Sequence, residues 1–275
     1  MGKISQFCRA NMMACLREIE MSSSSGYTSS EFYHFVGRGT LGDNEKTYEI
    51  LLKVLDDRCI SHPPHEKGWG VTQYTSDLSK KLLDEELIIP TITCYCDIPF
   101  ERLEIHVSKY GPFALSFKRE YVIRYGARPV LYIPLRQDDR LSPYGRVLLE
   151  EIEQKYKGFM EHVISKIDQS KFTSHGVGKQ TSEADEAAVW LSCVMERDIL
   201  AFIKPFDSHL PDNDPANYYM EREWRKYGNL QFEPSNVQKV LVPDDYVDRF
   251  RADRPKYAEK AVPTSIIPSV TGDDG

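Results

Sequence analysis

Several things are scarce in this chain of 275 residues, and each scarcity narrows the field. No apolar run approaches the roughly 20 residues a membrane-spanning helix needs, and no signal-peptide pattern opens the sequence, so no membrane partner is expected. The six cysteines (Cys8, Cys15, Cys59, Cys94, Cys96 and Cys193) are scattered rather than paired at framework spacings. That usage fits a reduced, cytoplasmic setting better than an oxidising one. Metal-ligand spacing is missing too: Cys94-x-Cys96 has no second pair, and His62-Pro-Pro-His65 reads as a turn, so no metal site is expected. Positive charge is in short supply, with a net charge of −7, which argues against a surface broadly adapted to nucleic acid but leaves room for a local basic patch.

What is present supports a real core, since 41% of the residues are hydrophobic. Helical spacing of Ile4, Phe7, Cys8, Cys15 and Ile19 predicts an opening helix over residues 3–20, and the serine run from Ser22 to Ser25 reads as a flexible joint. Glu31 to Val36 is a short aromatic strand carrying His34. The glycines Gly37 and Gly39 break it, and Tyr48 to Leu55 follow at helix spacing. Residues 61–90 are rich in turn formers and suggest a lid. A buried strand is expected over 91–96, stopped by Pro99, and then a short helix with Leu103, His106 and Val107 on one side. Residues 111–133 parse as strand, helical turn, strand, placing Ser116, Lys118, Arg119 and Tyr121 near a strand end, a common location for ligand groups. Two periodic helices over 144–168 and 183–202 read as an insertion between strands. Beyond residue 250 the proline-spaced polar sequence predicts a flexible tail over 251–275, leaving 26–250 as the single domain.

The densest chemistry lies in Tyr218-Tyr-Met-Glu-Arg-Glu-Trp-Arg225. If this is one strand, period-two alternation puts Tyr219, Glu221, Glu223 and Arg225 on one face. A carboxylate pair interleaved with arginines can serve as an exposed salt-bridge ladder. It can also hold one carboxylate still while its neighbour does chemistry.

The set Tyr33-His34-Phe35, Cys94-Tyr-Cys-Asp-Ile-Pro99, Tyr110-Gly111, Phe113 to Tyr121, Pro129-Val-Leu-Tyr132, Phe202-Ile-Lys-Pro-Phe206 and Met220-Glu-Arg-Glu-Trp-Arg225 resembles the AbiGi family of abortive phage resistance proteins, which carries the label antitoxin. The likeness covers roughly residues 31 to 245. The order of motifs is also similar, more distantly, to ADP-ribosyltransferases, including toxins that modify nucleic acids. That resemblance implies an α+β fold: a split mixed or antiparallel sheet with flanking helices and a helical insertion over 144–202, clamping NAD. It further implies that His34 binds the ribose beside the nicotinamide and that Tyr121, with Ser116 as competitor, sits at the nicotinamide ring. Arg119 belongs to the same cofactor set, and Glu223, or Glu221 beside it, stabilises positive charge on the sugar as nicotinamide leaves.

Three functions follow as expectations. The first is an NAD-dependent ADP-ribosyltransferase effector of an abortive-infection or toxin-antitoxin system, with RNA, DNA or protein as acceptor. A groove lined by Lys118, Arg119, Arg124 and Arg128 would favour nucleic acid. The second is an NAD glycohydrolase. The third is a non-enzymatic antitoxin or regulator that binds a toxin partner.

Overall fold

Alternation along the first strand sets the architecture. In β1 (Glu31–Phe35) Phe32 faces one core with Tyr48, Leu51, Leu55, Phe117 and Phe250, while the next residue, Tyr33, faces another with Cys96, Leu103 and Leu241. The sheet is therefore covered on both sides. The computed structural model describes residues 29–62, 74–135, 144–166, 172–173, 176–177, 183–211, 214 and 216–268. The expected opening helix, the serine joint and the middle of the expected lid lie outside the described residues.

After β1 comes helix α1 (Asn44–Asp57), whose Asp43 side chain accepts from the Lys46 amide and satisfies one of the first-turn donors. Strands β2 (Cys59–Ile60), β3 (Tyr74–Ser76), β4 (Ile88–Pro90) and β5 (Ile92–Cys96) follow, then α2 (Glu104–Tyr110), β6 (Ala114–Lys118) and α3 (Arg119–Arg124). Next come β7 (Arg128–Pro129), β8 (Leu131–Leu135), α4 (Tyr144–Lys166), the short strands β9 (Phe172–Thr173) and β10 (Gly176–Val177), and α5 (Glu183–Val194). The chain closes with β11 (Ile203–Asp207), β12 (Glu223–Tyr227), β13 (Leu230–Gln231), β14 (Val237–Val242), α6 (Val247–Asp253) and β15 (Ala261–Pro263).

Seven strands form the main sheet in the order β15-β14-β6-β1-β5-β12-β7. Its pairings are antiparallel except for β14 with β15, which makes the protein α+β with a mixed sheet. Register decides where the site forms. β1 pairs with β6 along all five of its residues, but with β5 only at Tyr33↔Cys96. Beyond that point β1 and β5 part, and a cleft opens between them.

A second hydrophobic cluster lies under the insertion. Leu149 and Tyr156 of α4 meet Leu87 and Ile88 of the β3–β4 hairpin and Phe202 and Ile203 at the start of β11. β11 runs parallel to β8 as a separate two-stranded sheet.

Three expectations need correction. The helix expected through residue 202 stops at Val194, where a wider turn (Met195–Ile199) and a tighter one (Leu200–Phe202) lead into β11. The strand expected from Tyr218 begins only at Glu223: Asn217 accepts from the Tyr219 amide and starts a tight helical turn (Tyr218–Glu221), and Arg222 at φ 44° ends it. The flexible tail is the third, as far as residue 268; the remainder of the expected tail lies outside the described residues. Tyr257 and Ile267 are buried, and Ala261–Pro263 extends the sheet by parallel pairing with β14, because apolar side chains placed between the prolines reach the core.

Candidate active site

The cleft opened by the parting of β1 and β5 has a volume of about 840 Å³, within the range of small-molecule and cofactor sites. Its walls come from the end of β1 and the Gly37–Thr40 turn, from α1, α2 and β5, and from the ends of β11 and β12. His34, Glu221 and Glu223 all line it.

His34 stands where the strands diverge. Its Nδ1 lies 2.8 Å from the Cys94 carbonyl of β5, and its ring packs against Tyr95, with centroids 5.6 Å apart. A carbonyl can only accept, so this contact makes Nδ1 the protonated nitrogen and directs Nε2 away from β5.

Glu223 opens β12, pinned through its own amide to the Tyr132 hydroxyl at 2.7 Å. Its carboxylate accepts from Arg225 Nε at 2.8 Å and Nη2 at 3.3 Å, with Lys204 Nζ at 3.8 Å. Arg225 in turn donates to the Ala201 carbonyl at 2.7 Å and to Glu85 at 3.0 Å, and Lys204 lies 3.1 Å from Glu85. Burial pushes the Glu223 pKa up, but the Arg225 guanidinium and Lys204 override it and hold the carboxyl below its ordinary value. The charge is thus permanent at neutral pH. Lys204 shows the mirror image: burial would lower its pKa, yet Glu223 and Glu85 raise it. Cys94 is exposed on the cleft wall beside Glu223; its low-solvent surroundings in the cleft, then the Glu223 charge, push its thiol well up, so it stays protonated.

Glu221 is held differently. It ends the turn before Arg222 and accepts from Lys109 Nζ at 2.6 Å and from the Tyr110 hydroxyl, both on α2. Burial, then Glu221, push the Tyr110 pKa up, so the phenol remains a donor. Tyr218 links the two carboxylates: its ring lies 4.1 Å from Lys109 Nζ and 4.5 Å from Lys204 Nζ. His106, on the same helix, is buried with neither ring nitrogen hydrogen-bonded, and burial followed by the Lys109 charge lowers its pKa to about 4.

The other three expected residues are not in the cleft. Ser116 is fully buried within the sheet and accepts from the Lys239 amide at 2.9 Å. Tyr121 stacks on Phe117 and donates to the Gln231 carbonyl at 2.7 Å. Arg119 pairs with Asp97 at 3.0 Å and lies 5.3 Å from the Trp224 ring. For Tyr121 and Arg119 the reason is the turn of chain at Lys118: α3 begins at Arg119 and packs both onto the face that carries Phe32 and Trp224, while Glu223 and Arg225 point to the opposite face. Ser116, opposite Tyr33 in β6, shares the face of Glu223, but β1 and β5 stand between their two strands. Conversely, Tyr110, Cys94 and Lys204 are site residues that the motif set contained without a role for any of them.

A family model described as "Putative abortive phage resistance protein AbiGi, antitoxin" matches residues 72–256. The chain belongs to the AbiGi family. The AbiGi match takes in Glu85, Tyr110, Lys204, Glu221 and Glu223, whereas His34 and the turn after it lie upstream of it. No curated protein and no solved structure matches the chain. Among the described residues no helix is long and apolar enough to cross a membrane, and no group of three or more His, Cys, Asp and Glu could hold a metal ion.

Proposed function

We propose that this AbiGi protein acts in abortive phage resistance as an NAD-dependent ADP-ribosyltransferase. The observation that carries the reading is the convergence of His34, Glu221 and a permanently ionised Glu223 on one cleft where two sheet strands part. Cleaving the bond between ribose and nicotinamide develops positive charge on the sugar. A fixed carboxylate in a partly dry site stabilises that charge more than water does. NAD supplies the ribosyl carbon and the leaving group. In this reading His34 Nε2 accepts from a ribose hydroxyl, Glu223 supplies the fixed charge, and Glu221 takes the acceptor's proton. Tyr110 and Tyr218 offer the aromatic wall that Tyr121 does not.

The basic groove that would favour a nucleic-acid acceptor receives no support. Lys118, Arg119, Arg124 and Arg128 do not line the cleft, and Arg119 and Arg128 are engaged by Asp97 and Asp198. A protein acceptor is the better fit to this acidic chain.

The test is release of nicotinamide and transfer of labelled ADP-ribose by the purified protein, offered RNA, DNA and cell lysate separately, beside Glu223→Gln and Glu221→Gln. Transfer lost in Glu223→Gln supports the reading and identifies the acceptor class. Nicotinamide release without a labelled acceptor means hydrolysis by the same site. The absence of NAD turnover in every mixture overturns the enzyme.

A second reading, a binding antitoxin on the same scaffold, draws on the family's own description. Exposed Trp190 and Leu191 on α5 are the apolar side chains such an interface would use. Its test is co-purification with a toxic partner that Trp190→Ala weakens.

A further inference from the structure

The turn after β1 is built as a rigid mount. Gly37 takes φ 91°, a conformation that favours glycine, and a Cβ there would sit 2.4 Å from Thr47 Cγ2 of α1. Thr40 Oγ1 donates to the Gly37 carbonyl at 3.0 Å and lies 2.7 Å from Thr47 Oγ1, which donates to the Asp43 carbonyl at 2.9 Å. The turn is thereby bolted to the first turn of α1. On it stands Arg38, exposed to solvent and lining the cleft.

Four cationic side chains line the cleft, Arg38, Lys53, Lys204 and Arg225, and the last two differ from Arg38 in what they face. Arg225 and Lys204 are neutralised by Glu223 and Glu85. Arg38 has no carboxylate in salt-bridge reach among the described residues; its charge acts on the Tyr110 phenol only as a small downward contribution to a pKa that burial and Glu221 raise. A guanidinium on a fixed turn, facing a cleft and not consumed by the protein, is suited to a ligand's anionic oxygens, which it can meet with two parallel donors.

We propose that Arg38 on the Gly37–Thr40 turn is the phosphate-binding residue of the cleft, and that the ligand class is a nucleoside diphosphate or dinucleotide rather than a nucleoside. The assignment deepens the NAD reading and rests on it only for the choice of dinucleotide. It divides the cleft into a phosphate end at Arg38 and a sugar end at His34, Glu221 and Glu223.

The experiment is calorimetric titration of the full chain with ADP-ribose, ADP and nicotinamide riboside, at low and high salt. The wild type is compared with Arg38→Gln, Arg38→Lys and Gly39→Asp. Gly39 has open space where a Cβ would be, so Gly39→Asp places a carboxylate beside Arg38 without a clash. Expected are ADP-ribose and ADP binding weakened about 10- to 100-fold in Arg38→Gln and Gly39→Asp, partly kept in Arg38→Lys, and weakened by salt in the wild type. Nicotinamide riboside binding is expected unchanged throughout. Equal ADP-ribose affinity in wild type and Arg38→Gln overturns the assignment, as does failure of the wild type to bind any diphosphate probe. Arg38-dependent ADP binding by a protein that never turns over NAD would leave the phosphate subsite standing and remove the transferase.

Discussion

Glu221 and Glu223 are two residues apart and line one cleft, but they are held by opposite means. Glu223 sits at the start of a sheet strand inside a mesh of guanidinium, ammonium and a second carboxylate, Glu85. Glu221 ends a single tight turn and is gripped from one side, by the phenol and ammonium of α2, with the unpartnered imidazole of His106 nearby. The difference teaches that strand alternation was not needed to bring the two carboxylates together. One is anchored by the sheet and the other by a helix, so each can be perturbed separately.

The largest effect is expected where the cation mesh is broken. Arg225→Ala leaves Glu223 buried without its main partner and should cost about 3–5 kcal/mol in urea unfolding at pH 7. Because the folded Glu223 pKa lies below the unfolded value, the stabilisation is present above about pH 4.5 and fades as pH falls through the folded pKa. A loss under about 1 kcal/mol would falsify the view that this mesh fixes the carboxylate.

The next test concerns the α2 side. Folded His106 titrates near 4 against an ordinary 6.5, so the unfolded chain binds the extra proton between those values. Stability is full above about pH 6.5 and falls by up to about 3 kcal/mol as pH drops toward 4. His106→Phe removes that window; its stability should match the wild type at pH 7 and exceed it at pH 5. An unchanged acid limb would mean that His106 is protonated as readily in the fold as out of it.

Smaller again is Tyr110→Phe, which takes one donor from Glu221 and should cost about 1.5–3 kcal/mol, with a larger effect on NAD turnover than on stability. The smallest is Tyr121→Phe, on the far face of the sheet. It loses one bond to the Gln231 carbonyl, about 1 kcal/mol, and should leave turnover and ADP-ribose binding unchanged. Impaired turnover there would restore Tyr121 to the site and break the division between the two faces.

Much of this was legible beforehand, and the misses have physical causes. The His34 strand, the helix after it, β5 and the two insertion helices follow from periodicity, which records a burial pattern that local geometry imposes. Tyr121 and Arg119 were misplaced because which face a helical turn presents depends on what packs against it, and Ser116 because the order of strands in the sheet, which no local pattern records, sets β6 apart from β12. The ordered stretch through Ile267 was missed because β15 draws its stability from β14, about twenty residues earlier in the chain. A three-residue segment set between prolines carries no local mark of a distant partner.

By itself the sequence determined the α+β composition, the order of the main elements and the residue types able to do chemistry, because these depend on neighbours within a few positions. The tertiary structure alone decided that β1 and β5 part after Tyr33, opening the cleft. It alone brought Lys204, Glu85 and Arg225 around Glu223, and set Arg38 beside the same cavity. Those are relations between elements up to about 190 residues apart, fixed by strand register and by the need of buried charges for partners, and neither is written in any local pattern.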